Sequence, residues 1–213
     1  MRVGHSGRHR RVGELVIRQV GAADAAAIYD ICLRTADAGA DASTLHRDPS
    51  LPGHVWAGAY PVLEPDHAFV LVAGDPSMRV VGYVLGAPDT AVFEQRLERD
   101  WWPPLRERYP RDGAGTAADQ AMIRLIHEPP RADPAILERF PSHLHVDLLP
   151  VAQGRGDGRR MIDAVLTSLA GAGSTGVHVG VDIRNVRAIG FYDAVGFTEL
   201  ARDDGGVVMG RTL

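Results

Sequence analysis

Apolar and polar positions along the first part of the chain predict a strand, two helices and then two more strands. Alternation over residues 14–20 is typical of a half-buried strand. Apolar side chains recur on one face of residues 22–40, which predicts an amphipathic helix, and a second helical stretch is predicted at 55–63. Two apolar runs, at 68–73 and 79–85, flank Gly74-Asp75-Pro76-Ser77 and predict a β-hairpin.

The middle of the chain is the least regular part of the pattern. Thr90 is the predicted cap of a polar helix that runs to about Trp102, where Pro103 and Pro104 are expected to break it. Beyond that point the sequence is rich in proline, arginine and aspartate, with short helices predicted at 117–126 and 134–140. We therefore expect a helical insert at about residues 89–141.

Regular patterning returns in the last third. A strand is predicted at 142–149, and it is followed by a helix at 159–170, a strand at 177–182, a helix at 185–195 and strands near 198–200 and 206–210. This order predicts an α/β fold with a mixed, partly parallel sheet and helices on both faces. We expect one domain over residues 14–213, preceded by a flexible basic arm at 1–13 that lacks the apolar stretch of a secretory signal.

Composition excludes several classes of function. The formal net charge of −4 gives no basic footprint for nucleic acid, and no apolar run approaches the ~18 residues of a membrane span. The single cysteine, Cys32, cannot form an internal disulfide and is expected in the core rather than as a nucleophile. All 23 basic residues are arginine, a bias typical of GC-rich bacterial genomes. These features predict a cytoplasmic bacterial protein without lysine-based chemistry.

A glycine-rich loop carries the main functional signal. It joins a predicted strand to an amphipathic helix, and three alternate glycines let successive backbone N–H groups converge beside the positive end of the helix dipole. Such a loop is an anion site suited to a pyrophosphate. Its residues are Gln153, Gly154, Arg155, Gly156, Asp157, Gly158 and Arg159.

Two well-known phosphate loops do not fit these residues. The Rossmann pattern G-x-G-x-x-G fails because Arg159 stands where the third glycine belongs, and the P-loop requires a lysine that the chain lacks. The spacing of Gln153, Gly156 and Gly158 instead matches the Q/R-x-x-G-x-G/A pattern of the GNAT acetyltransferases. Downstream, residues 181–197 resemble the strand, asparagine and "FYxxxGF" helix of that family.

Within the family, the chain resembles bacterial homologues of the C-terminal acetyltransferase-like domain of O-GlcNAcase, through residues 143–150 followed by 153–156. The resemblance implies the GNAT (acyl-CoA N-acyltransferase) fold with acetyl-CoA as co-substrate. It implies that main-chain amides of the loop bind the diphosphate. It further implies that the strand end at Leu148 and Leu149 binds the thioester and the pantetheine arm.

The resemblance also assigns two residues of the downstream helix. Asn185 and Tyr192 are seven residues apart, so they share a helix face about 10 Å apart along the axis. In the family an asparagine here contacts the pantetheine arm and a tyrosine protonates the departing thiolate. Asn185 also fits a plain helix N-cap, and Tyr192 also fits an aromatic packing residue.

The general base is less well specified by the sequence. His143, His145 and Asp147 alternate along one strand, so their side chains share a face. Asp147 is nearest the loop and is the favoured base or amine anchor, with His145 as the second candidate and simple polar pairing as the alternative. Because His143 and Asp147 are about 13 Å apart at Cα, no metal site is expected.

Together these features predict an N-acetyltransferase that moves acetyl from acetyl-CoA to a primary amine by direct attack in a ternary complex. The alternative is a catalytically silent acyl-CoA-binding module of the same fold, and the loop does not distinguish acetyl from a longer acyl group. The insert is expected to form part of the acceptor wall, with Trp101 and Trp102 either covering the acceptor or packing a helix end. A homodimer formed at the C-terminal edge of the sheet is a further expectation.

Overall fold

A computed structural model of the protein describes residues 14–74 and 78–213. The predicted arm at 1–13 and the predicted turn residues Asp75, Pro76 and Ser77 lie outside this part. In the described part seven strands form one sheet: β1 (Leu15–Gln19), β2 (Ala68–Ala73), β3 (Val80–Ala87), β4 (Ser142–Leu148), β5 (Gly176–Asp182), β6 (Thr198–Arg202) and β7 (Gly206–Thr212). Their spatial order is β1-β2-β3-β4-β5-β7-β6.

The sheet is mixed, as predicted, and its only parallel neighbours in the described part are β4 and β5. These two strands pair at Ser142–Val177 and His143–His178 alone. Beyond that point β4 stays paired with β3 as far as Leu148, and β5 stays paired with β7 as far as Asp182. A gap therefore opens between β4 and β5 towards their carboxyl ends.

Helices cover both faces of the sheet. They are α1 (Ala25–Leu33), α2 (Leu51–Trp56), α3 (Tyr60–Leu63), α4 (Thr90–Arg96), α5 (Trp102–Arg108), α6 (Ala117–His127), α7 (Pro134–Leu137), α8 (Asp157–Gly171) and α9 (Val186–Ala194). The first predicted helix is shorter than expected, because the chain turns after Leu33 and takes positive φ at Ala38 and Gly39. None of the helices in this part of the chain is long and apolar enough to cross a membrane.

Two large apolar clusters hold the helices to the sheet. On one face α8 packs Met161, Ile162, Val165 and Leu169, which are fully buried. Gly86 of β3 permits this contact, because a Cβ there would lie 2.8 Å from a methyl group of Val165. On the other face α1 packs its apolar side chains, Cys32 among them, against β2 and β3.

The expected helical insert occupies the chain between β3 and β4 and comprises α4 to α7. Two local predictions were wrong. Asp89 rather than Thr90 caps α4, with Oδ1 accepting from the Val92 N–H at 3.0 Å. The chain is not broken at Pro103 and Pro104, because both prolines fall in the first turn of α5, where a helix needs no amide donor.

The packing of α8 predicts a measurable stability difference between two Val→Ala variants. Val165→Ala should lower the free energy of unfolding by about 1.5–3 kcal/mol, because it empties space between α8 and β3. Val92→Ala, on exposed α4, should change it by less than about 0.5 kcal/mol. Urea denaturation of both variants checks this, and equal effects would contradict the packing described.

Candidate functional site

A cavity of about 340 Å³ lies where the gap between β4 and β5 meets the start of α8. Its wall comes from the end of β4, the glycine-rich loop, α9 and the segment that follows α1. The lining residues from β4, the loop and α9 include Val146, Asp147, Leu148, Gln153, Gly154, Gly156, Gly158, Arg159, Asn185 and Tyr192. The cavity therefore brings the predicted loop, Asn185 and Tyr192 together.

The loop presents backbone amides to this cavity. Gly154 and Gly156 have φ of +76° and +85°, and a Cβ on either would meet nothing within 4 Å, so backbone conformation rather than space requires glycine. The Gln153 N–H donates to the Pro150 carbonyl and the Arg160 N–H to the Gly156 carbonyl. The amides from 154 to 159 find no backbone acceptor within the described residues. They form the open N-terminal end of a 15-residue helix, which favours an anion.

Gln153 has a structural role that the motif does not reveal. Its Nε2 donates to the Leu148 carbonyl at 2.6 Å, and its Oε1 accepts from Arg187 at 2.6 Å. The side chain thus ties the end of β4 to the start of α9. Gly158 serves close packing, because a Cβ there would lie 3.2 Å from both Leu148 and Phe191.

The charged side chains of the loop point in different directions. Asp157 is buried and accepts from Arg160 at 2.7 Å, so its carboxylate is turned away from the cavity. Arg159 lines the cavity and donates to the Ala194 carbonyl. Arg155 is exposed and lies outside the cavity wall. Of these three charged side chains, only that of Arg159 belongs to a residue of the cavity wall.

The two residues predicted at the end of β4, Leu148 and Leu149, differ in whether the backbone N–H is hydrogen-bonded within the sheet. The Leu149 N–H donates to the Val81 carbonyl of β3 at 2.9 Å, and the Leu149 side chain is buried, so this residue does not face the cavity. Successive amides of a strand point to opposite sides. The N–H groups of Val146 and Leu148 therefore point into the gap, past the last β4–β5 pair. The Leu149 N–H is thus engaged within the sheet, whereas the Leu148 N–H faces the gap together with that of Val146.

Asn185 and Tyr192 both line the cavity from α9. Asn185 caps the helix, with Oδ1 accepting from the Ala188 N–H at 3.0 Å, while its Nδ2 faces Gly39. Tyr192 is 5% exposed and packs edge-on against Phe191 and Phe197. Burial, reinforced by the negative charge of Asp147, raises the pKa of Tyr192, so its hydroxyl keeps its proton at neutral pH.

The segment after α1 is part of the cavity wall, which no pattern in the sequence predicted. Thr35 and Gly39 line the cavity. Arg184 holds this segment in place, because it contacts Asp37 at 2.9 Å and Asp182 at 2.8 Å. The contact joins residues 147 positions apart, beyond the reach of any local pattern.

His145 and Asp147 form a pair on the α1 side of the sheet. Their Nε2 and Oδ2 atoms are 3.1 Å apart, and the Tyr83 hydroxyl donates to Asp147 Oδ2 while lying 3.0 Å from His145 Nε2. Burial lowers the pKa of His145, but the Asp147 carboxylate outweighs burial and raises it to about 10. His145 is therefore protonated and paired with a carboxylate at neutral pH.

His143 belongs to a different environment. Its Nδ1 lies 2.8 Å from the Thr90 hydroxyl, and its ring packs between Tyr60 and Phe93. Burial lowers its pKa to about 3, with smaller contributions from His178 and His145, so the ring is neutral. The structure brings His145 to Asp147 and leaves His143 apart from both.

One group in the described part has the composition of a metal site, namely Cys32, His145 and Asp147, with ligand atoms within 4.8 Å of one another. The sequence argument against a metal considered His143 and did not foresee Cys32, which reaches the pair from α1. Hydrogen bonds through Tyr83 account for the closeness of His145 and Asp147 without an ion.

A second cavity, of about 300 Å³, adjoins the first along β4. His143, Leu144 and His145 line it from β4, and His178, Val179 and Gly180 line it from β5. Side chains of α2 to α6 supply most of the remaining wall. His145 faces this second cavity whereas Asp147 faces the first, so their hydrogen-bonded pair spans the boundary between the two.

The two tryptophans of the insert have separate roles. Trp102 is 4% exposed and lines the second cavity. Trp101 is not part of that wall, and its indole N–H donates to the His54 carbonyl at 2.9 Å. For Trp101 this contact agrees with packing, one of the two roles that the sequence left open.

The sequence of the chain is similar to part of a known protein. No model of a known protein family matches the chain. The chain is 28% identical to the Protein O-GlcNAcase of Rattus norvegicus and of Mus musculus over 197 residues, 89% of this chain. It spans about a fifth (21%) of the length of those relatives.

Solved structures match the chain over a larger share of both proteins. The crystal structure of SsHAT is 37% identical, covers 93% of this chain and 98% of its own, and has a TM-score of 0.86. The putative acetyltransferase yncA of Salmonella typhimurium, solved with its cofactor acetyl-CoA, has a TM-score of 0.54 at 17% identity and covers 93% of each chain. The likeness to yncA shows the fold, and the likeness to SsHAT extends over nearly the whole of both chains. The chain belongs to the GNAT family of N-acetyltransferases.

Proposed function

We propose that this acetyltransferase moves the acetyl group of acetyl-CoA to a primary amine by direct attack, with Tyr192 as general acid and Asp147 as the proton acceptor. The observation that carries the proposal is the His145–Asp147 pair, which joins two adjacent cavities at the gap between β4 and β5. One cavity suits the thioester and the other suits an amine. Both substrates then meet at the pair, as a ternary mechanism requires.

The first cavity fits coenzyme A through its donors. Amides from 154 to 159 suit the diphosphate, and the inward N–H groups of Val146 and Leu148 suit the amide and thioester carbonyls of the pantetheine arm. Asn185 lines the same cavity, and we assign it a contact with the pantetheine arm. The acetyl-CoA bound to yncA supports the same co-substrate for this chain.

The reaction balances with groups that the chain provides. An ammonium acceptor first gives one proton to Asp147, which later releases it to solvent. The neutral nitrogen then bonds to the thioester carbonyl carbon, and the C–S bond breaks with its electron pair on sulfur. Tyr192 donates a proton to that sulfur, and the second proton lost by nitrogen restores the Tyr192 hydroxyl through solvent. Because its pKa is raised, the Tyr192 hydroxyl is protonated at neutral pH, and its proton is available to the sulfur as the C–S bond breaks.

The hydrogen bonds of the pair favour Asp147 over His145 as the base. Both Tyr83 and His145 contact Oδ2 of Asp147, so within the described residues Oδ1 stays available to an ammonium group. His145 is already protonated at neutral pH because its pKa is raised to about 10. We assign it the role of a positioning residue that fixes the orientation of the Asp147 carboxylate.

Tyr192→Phe tests the general acid. Loss of the hydroxyl should lower kcat for CoA thiol release by about 100-fold, while acetyl-CoA affinity stays within about twofold. Tyr109→Phe is the matched control, because its hydroxyl contacts Asp48 outside both cavities. Normal turnover by a folded Tyr192→Phe enzyme would remove Tyr192 from the mechanism. A wild-type protein that binds acetyl-CoA but acetylates no amine would instead be a silent binding module.

The His145–Asp147 pair predicts how stability depends on pH. The pKa of His145 is about 10 in the folded protein and about 6.5 when unfolded, so the pair stabilises fully below pH 6.5. That contribution should decline as the pH rises from 6.5 to 10. Urea denaturation across this range should show a steeper decline for the wild type than for Asp147→Asn.

An exposed carboxylate provides the control for this measurement. Asp193→Asn on α9 should keep the wild-type pH dependence, because Asp193 is exposed. If Asp147→Asn and the wild type lose stability in parallel between pH 6.5 and 10, the charged pair does not exist in solution.

A further inference from the structure

We infer that the second cavity selects a small primary amine with an apolar or aromatic body, in preference to a polyamine or a lysine-bearing peptide. The inference rests on the proposed transfer to an amine and adds the class of acceptor. It follows from the shape, the lining and the charges of this cavity.

Apolar and aromatic side chains supply most of the wall. Phe93 and Trp102 are 2% and 4% exposed, so the deep part of the cavity is lined by buried aromatic side chains. Trp56 also lines the cavity and is 38% exposed, which continues the aromatic surface outward. The other large apolar members are Val55, Tyr60, Leu97, Leu125, Leu144 and Val179. Such a wall stabilises a ligand by removing apolar area from water.

The ionisable groups of the wall offer no partner for a second positive charge. His143 is neutral because burial lowers its pKa to about 3, and burial lowers the pKa of His178 as well. Among the lining residues Glu94 is the only carboxylate, and it already accepts from the Ala132 N–H at 2.9 Å and from Arg131 at 3.3 Å. A second ammonium group would therefore be buried without a free counter-charge, which is unfavourable.

The apolar wall also favours the neutral form of a monoamine that binds in the cavity. Desolvation lowers the pKa of an amine, so an apolar cavity increases the neutral, nucleophilic fraction. The proton that the ammonium form of the acceptor must lose is accepted by Asp147, at the boundary with the first cavity. A volume of about 300 Å³ is at the lower end of small-molecule sites and leaves little room for a folded peptide segment.

The test compares 2-phenylethylamine with 1,4-diaminobutane and a short lysine peptide in a CoA thiol-release assay at saturating acetyl-CoA. The expected result is a kcat/KM for 2-phenylethylamine at least about tenfold above that of either alternative. A tenfold preference for the diamine or the peptide would overturn the inference and leave acetyl transfer intact. If no amine is acetylated, the proposed function fails, and calorimetry with the same three amines still tests the cavity, where tighter binding of the diamine or peptide would contradict the inference.

A charge-introducing variant makes the test specific to the wall. Leu125→Glu places a carboxylate in the cavity lining and should shift the ratio of kcat/KM towards 1,4-diaminobutane by about tenfold. Val92→Glu, on the exposed side of α4, is the matched control and should leave the ratio unchanged. Thermal unfolding confirms that both variants fold. An unchanged ratio in folded Leu125→Glu would show that the acceptor binds elsewhere.

Discussion

The separation of β4 from β5 is the constraint on which the rest of the site depends. Two parallel strands that pair at only two positions leave backbone donors of β4 without a sheet partner. Each strand keeps its other neighbour, β3 or β7, so the sheet remains intact on both sides of the gap. Both cavities adjoin the opening, and in the proposed mechanism the co-substrate arm reaches the free amides from one cavity and the acceptor enters from the other.

Environment, rather than residue type, separates the roles of the polar residues on β4. His143 and His145 are two positions apart on one face, yet burial lowers the pKa of the first to about 3 and a carboxylate raises that of the second to about 10. The insert supplies Thr90 and Phe93 around His143, whereas β3 supplies Tyr83 beside His145. The neutral His143 in the wall of the second cavity therefore lies next to the charged pair of His145 and Asp147.

The sequence was sufficient wherever the signal was local. The glycine spacing predicted a loop whose amides open at a helix start, and the strand alternation predicted that His145 and Asp147 share a face. Contacts between distant elements were out of reach: Tyr83 lies 64 positions before Asp147, and Asp37 lies 147 positions before Arg184. The hydrogen bond from the Leu149 N–H to Val81 was likewise not predictable, because a sequence does not specify which side of a strand faces its paired neighbour.

The central claim is that amides from 154 to 159 hold the diphosphate of coenzyme A at the start of α8. Calorimetry with acetyl-CoA and acetyl-pantetheine, on the wild type and on Gly156→Val, tests it most directly. We expect the wild type to bind acetyl-CoA at least about 100-fold more tightly than acetyl-pantetheine. Gly156→Val should lose most of that difference, because a β-branched residue does not hold φ of +85°. Equal affinities for the two ligands in the wild type, or an unchanged ratio in the variant, would contradict the account.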